Sequence, residues 1–88
     1  MEKEDKFAHL QLIANIIKRY KYADLDGIIM GNDFQMLINF NYEDKYGWNI
    51  KEWYIHLIKM FEHYEYFEIC RFLKHYYKHI TEKDIDEE

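Results

Sequence analysis

The sequence predicts an α+β domain: an N-terminal helix, a short antiparallel β-hairpin, then two antiparallel C-terminal helices. Three observations carry that prediction. Apolar residues recur at helical spacing from about Glu4 to Lys21, residues Phe34 to Tyr42 alternate apolar and polar, and Trp48 to Ile80 contains neither glycine nor proline. An all-α small bundle is the alternative, because part of the alternating stretch also fits a helix.

In the first helix the apolar positions are Phe7, Leu10, Ile13, Ala14, Ile17 and Tyr20. Acids in the opening turn and Lys18, Arg19 and Lys21 at the end suit the helix macrodipole. Leu12 and Ile16 widen the stripe beyond what one packing face needs, so this helix contacts two elements or leaves an apolar strip exposed. The run from Tyr22 to Gly27 reads as a connection, with Asp24, Asp26 and Gly27 as turn formers.

The hairpin expectation rests on Gly27-Ile28-Ile29-Met30, a turn cluster at Gly31-Asn32-Asp33, and the alternation of Phe34, Met36, Ile38, Phe40 and Tyr42 with Gln35, Leu37, Asn39 and Asn41. Leu37 breaks the polar face. A helix capped by Asp33 competes, since Phe34, Leu37, Ile38 and Tyr42 fit one loosely, but Asn39 and Asn41 are poor helix formers. Tyr42 to Gly47 then returns the chain as a polar turn.

Asn49 and Glu52 form a capping box for the next helix. Its face carries Ile50, Trp53, Tyr54, Leu57, Met60, Phe61 and Tyr64. Continued in phase, that face meets Glu68 and Arg71, whereas Tyr66, Ile69, Cys70, Leu73, Tyr76, Tyr77 and Ile80 define a second phase. A break at Glu62 to Glu65 resolves the conflict and gives an antiparallel pair; one long helix seated on a partner is the other solution. Leu57, Phe61, Leu73 and Ile80 are the expected core. Locally, Glu65-Tyr66-Phe67-Glu68-Ile69-Cys70-Arg71-Phe72-Leu73-Lys74 resembles the second half of the UVR-type helical hairpin of excision-repair proteins. Ile69-Cys70 stands where that motif has two small residues. The resemblance implies hairpin geometry and carries no repair function.

Residues 1–80 are expected to form a single compact domain and residues 81–88 an acidic flexible tail with five acids and one lysine out of a net charge of −5. A chain of 88 residues buries only about 60–65% of its unfolded surface, so its core is modest. No window is apolar enough to span a membrane, the first residues lack the apolar run of a secretion signal, and one cysteine forms no internal disulfide. These features predict a cytoplasmic protein with no membrane partner. Serine, valine and proline are absent, while isoleucine, lysine, tyrosine, asparagine and phenylalanine abound. Their A/T-rich codons point to a low-GC bacterium, a phage or a mobile element.

Chemistry is poorly served. Without serine, with Thr81 in the tail and Cys70 on the core face, no nucleophile emerges; three glycines supply no phosphate loop, so neither enzyme nor cofactor is expected. His75 and His79 stand at i, i+4 with Glu68 on the same stripe, a weak metal candidate lacking a fourth ligand. Arg71, Lys74 and Lys78 beside Phe67 offer a small basic and aromatic face, and a nucleic-acid-associated factor is the second reading. The dominant signal is seventeen aromatic residues, more than a two-layer core of this size can bury. Leu12, Ile16, Trp48, Ile55, Phe67 and Phe72 fall off the expected core faces. They are the predicted surface for a protein partner or for self-association, as in an accessory protein that docks on, or inhibits, a larger host protein.

Overall fold

The computed structural model describes residues 8–86. Among them are six helices and no strand: α1 (Ala8–Arg19), α2 (Leu25–Ile29), α3 (Asn32–Ile38), α4 (Tyr42–Tyr46), α5 (Ile50–His63) and α6 (Phe67–Thr81). The α+β prediction is therefore corrected to all-α, the architecture of the alternative reading. None of the described helices is long and apolar enough to cross a membrane. Contacts cluster into two compact units, one ending at Tyr46 and the other starting at Gly47.

In the first unit α1 packs on α3, and α2 also contacts α3. The buried face of α1 runs through His9, Ile13 and Ile16, while Leu10 is exposed. The face is thus rotated toward Ile16 from the one that the spacing predicts; Phe7 lies outside the described residues. Asp24 caps α2 by accepting the Gly27 N–H at 2.9 Å.

The expected second strand is α3 and the turn beyond it. Strict alternation would place Phe34 and Met36 on one face and Leu37 on the other. Instead Phe34 and Leu37 are fully buried and Met36 is exposed, an i, i+3 pattern. Leu37, the residue that breaks the alternation, marks the true period. Asn39 ends α3 as its C-cap, with its side-chain amide donating to the Gln35 carbonyl at 3.0 Å. The expected first strand, Gly27 to Met30, belongs to α2 and its C-cap. Helices need only local hydrogen bonds, whereas an isolated two-stranded hairpin is marginal in water.

The expected turn from Tyr42 contains α4, which ends before Gly47 at φ +72°, a conformation glycine adopts without steric cost. Tyr46 Oη and His9 Nδ1 share a 2.7 Å hydrogen bond. Their rings and that of Phe40 form a cluster with centroids 5.5–6.0 Å apart. This cluster ties the start of α1 to the end of α4.

In the second unit α5 packs on α6. The capping box is present: the Glu52 N–H donates to the Asn49 side chain at 2.8 Å and the Asn49 N–H to the Glu52 carboxylate at 2.9 Å. Trp53, Tyr54, Leu57, Ile58 and Phe61 of α5 are buried, as are Ile69, Cys70, Leu73 and Tyr77 of α6. Full burial contributes about 1.5–3 kcal/mol for each aliphatic or phenyl side chain. Of the expected core only Ile80 is misplaced, being 43% exposed.

The break falls where the phase change puts it. Residues 64–66 connect the helices, with Glu65 at φ +64° and the Tyr66 N–H donating to the Phe61 carbonyl at 3.0 Å. At the far end α6 stops at Thr81 and Glu82 takes φ +62°. The chain then doubles back along α6, bringing Asp84 within 3.6 Å of Lys78 and Asp86 within 3.8 Å of Lys74, with Ile85 only 6% exposed. Over residues 82–86 the side chains are exposed except Ile85, which packs against the unit. Glu87 and Glu88 lie outside the described residues.

Replacing Asn49 with alanine removes an accepted hydrogen bond from the start of α5. The expected loss is about 1 kcal/mol, read as a lower urea midpoint with an unchanged slope.

Candidate functional site

Two features of the second unit offer surface for recognition. The first is the turn between α5 and α6. Because α5 ends at His63, Tyr64 leaves the core face that helical spacing assigns to it and is 45% exposed, and Phe67 is 54% exposed. The Tyr64 ring packs edge-on to His63 at 5.1 Å and stacks near Tyr66 at 6.1 Å. Glu62, Glu65 and Glu68 are exposed among these rings, and residues 62–68 contain no lysine or arginine. The turn therefore presents exposed rings among carboxylates, with the exposed Arg71 one helical turn beyond Phe67 on α6.

The second is a cleft of about 400 Å³ lined by Ile55, Ile58, Lys59, Glu62, Lys74, Ile85 and Asp86. Its apolar wall combines α5 with the returning C-terminal segment. Both lysines and both acids stand at its margin.

The six residues predicted to bind a partner meet different fates. Ile16 is 1% exposed and supplies no surface; its burial corrects that assignment, since it lies on the buried face of α1 beside Ile13. Leu12 is half-buried. Trp48 is half-buried before α5, its ring 6.2 Å from Trp53 and 5.1 Å from His56. Ile55 lines the cleft. Phe72 is half-buried and stacks on Tyr76 at 5.7 Å and 12°. Phe67 alone is a prominent exposed ring. Trp48 and Phe67 flank opposite ends of α5, a helix of fourteen residues and so roughly 20 Å long, and they do not share one patch.

Sequence reasoning missed Tyr64, Ile85, His9 and His56. A signal existed for two of them: His9 precedes Ile13 and Ile16 at helical spacing, and Ile85 is the one aliphatic residue in an acidic run. The exposure of Tyr64 depends on where α5 stops, which spacing alone does not fix.

His75, His79 and Glu68 are all exposed. Among the described residues no three His, Cys, Asp or Glu side chains converge as metal ligands. His79 stacks on Tyr76 at 6.3 Å, and Lys74 and Lys78 face Asp86 and Asp84. The Cys70 thiol is buried and donates to the Ile58 carbonyl at 3.4 Å. Burial pushes its pKa up, the Glu62 charge adds to the rise, and Lys74 opposes it. His56, against Trp48 and Trp53, is shifted the other way, because burial disfavours its charged form.

No protein-family model matches the chain, and no curated protein or solved structure matches it.

Two measurements check these environments. A disulfide-exchange reagent at neutral pH should label Cys70 slowly in the folded protein and rapidly in denaturant, because the reactive thiolate is suppressed by burial. The lowered pKa of His56 means that the unfolded chain binds the proton more tightly. Its contribution to stability is therefore complete above the ordinary value of 6.5 and is lost as pH falls below it. The melting temperature should fall on acidification through that range, and less steeply in His56→Gln.

Proposed function

We propose that the chain is a non-catalytic protein-binding module that engages its partner through the aromatic turn at residues 63–67. The observation that carries this reading is the exposure of Tyr64 and Phe67 on a short reversal fixed between two packed helices. Rings held this way lose little conformational freedom when covered, and such aromatic anchors dominate binding energy at protein interfaces. Glu62, Glu65 and Glu68 around them define the complement: a protein with an apolar pocket rimmed by lysine or arginine. Pairing two copies turn to turn would oppose two sets of three carboxylates, which favours an external partner over self-association. The A/T-rich residue menu fits an accessory protein of a phage or mobile element acting in the cytoplasm on a larger host protein.

Light scattering and partner capture test this reading. A monomer is expected at micromolar concentration. A host protein captured by the intact chain should bind Phe67→Asp roughly thirtyfold more weakly, equivalent to about 2 kcal/mol for one lost aromatic anchor. Phe67 is exposed, so the variant should melt close to the parent. Equal retention by the parent, Phe67→Asp and Tyr64→Ala would overturn the assignment.

A further inference from the structure

The segment Asp84-Ile85-Asp86 occupies a seat of complementary chemistry. Ile85 is buried at 6% exposure although acids flank it on both sides. Asp84 faces Lys78 at 3.6 Å and Asp86 faces Lys74 at 3.8 Å, one turn apart on α6. The side chain between them lies beside Ile55 and Ile58 of α5 at the cleft. An acid, an aliphatic residue and a second acid thus meet a lysine, an apolar wall and a second lysine.

Ile85 is covered, and beside it the cleft stays open to solvent, with about 400 Å³ bounded by Ile55, Ile58, Lys59 and Lys74. The exposed lysine–aspartate contacts hold the segment weakly, since such pairs are screened by water and salt. Glu82, at φ +62°, turns the chain into the seat in a conformation that favours glycine. The occupant therefore leaves open cleft beside it, is weakly held at its edges and is reached through an unfavourable backbone angle.

We propose that this cleft is a binding site for an acid–hydrophobic–acid peptide segment of a partner protein, and that residues 84–86 are its internal, displaceable occupant. The partner segment carries a larger apolar anchor, leucine or phenylalanine, between two carboxylates. Its anchor takes the place of Ile85 and extends into the open cleft beside it, and its carboxylates take over Lys74 and Lys78. Apart from Glu62, the cleft draws on none of the residues of the aromatic turn, so it stands whether or not that turn binds a protein.

The test uses a fluorescent peptide with the sequence of residues 81–88 and a second peptide with phenylalanine at the isoleucine position. Both are titrated into the full-length chain and into full-length Asp84→Lys/Ile85→Asp/Asp86→Lys, whose own segment is repelled from the seat. Anisotropy should show binding at least about tenfold tighter to the opened variant than to the parent, a margin that competition by a tethered occupant sets. The phenylalanine peptide should bind more tightly than the isoleucine peptide, and Lys74→Gln/Lys78→Gln in the opened chain should abolish both. A control peptide with aspartate at the isoleucine position is more acidic and lacks the anchor; binding as tight as the parent peptide's would reduce the effect to general charge and overturn the proposal. Circular dichroism decides whether the opened variant folds. If it does not, the phenylalanine peptide is titrated into the isotope-labelled parent chain: shifts centred on Ile55, Ile58 and Lys74 support the site, and their absence overturns it. No anisotropy change with a folded opened variant also overturns it.

Discussion

The second unit depends on one reversal of direction, made in three residues without glycine or proline. Glu65 makes it possible by adopting a left-handed backbone at a cost of about 1 kcal/mol or more. The fully buried Leu57, Phe61, Ile69 and Leu73 offset that cost several times over. The consequences reach beyond the core. By ending α5 at His63 the reversal turns Tyr64 outward, and by laying α6 along α5 it places Lys74 where a returning segment can meet Ile58. Both candidate binding features are by-products of the same tight turn.

Parts of this architecture are legible in the sequence and parts are not, for identifiable reasons. The capping box of Asn49 and Glu52 and the break near Glu65 can be read because each is a local conflict or agreement of side chains a few positions apart. The segment around Phe34 misleads because its apolar residues satisfy a period of two almost as well as a helical one. Leu37 separates the two, since it is buried with Phe34 at the helical spacing of three while Met36 is exposed. Ile16 and Ile80 show a different limit. Helical spacing defines a stripe, but which edge of it is buried depends on the neighbouring helix. Ile85 stood out as the one aliphatic residue in an acidic run, but its burial depends on the two lysines that face its neighbours.

Charge is arranged in this chain with more structure than a net value of −5 conveys. Asp84 and Asp86 are turned toward lysines of α6, whereas Glu62, Glu65 and Glu68 are gathered around exposed rings. The first set moderates the only basic stripe on α6, which lowers its attraction for polyanions. The second set places three exposed carboxylates near the exposed rings of the turn.

The division of contacts at Tyr46 bears on how the protein is made. The packing of α1 on α3 and of α2 on α3 lies within the unit that ends at Tyr46. Trp53 and Leu57 follow Tyr46 by seven and eleven residues, so at about ten residues per second they are added roughly one second later. Helices and short loops form within microseconds. The packing of α1 and α2 on α3 therefore has time to form before Trp53 or Leu57 has been added to the chain.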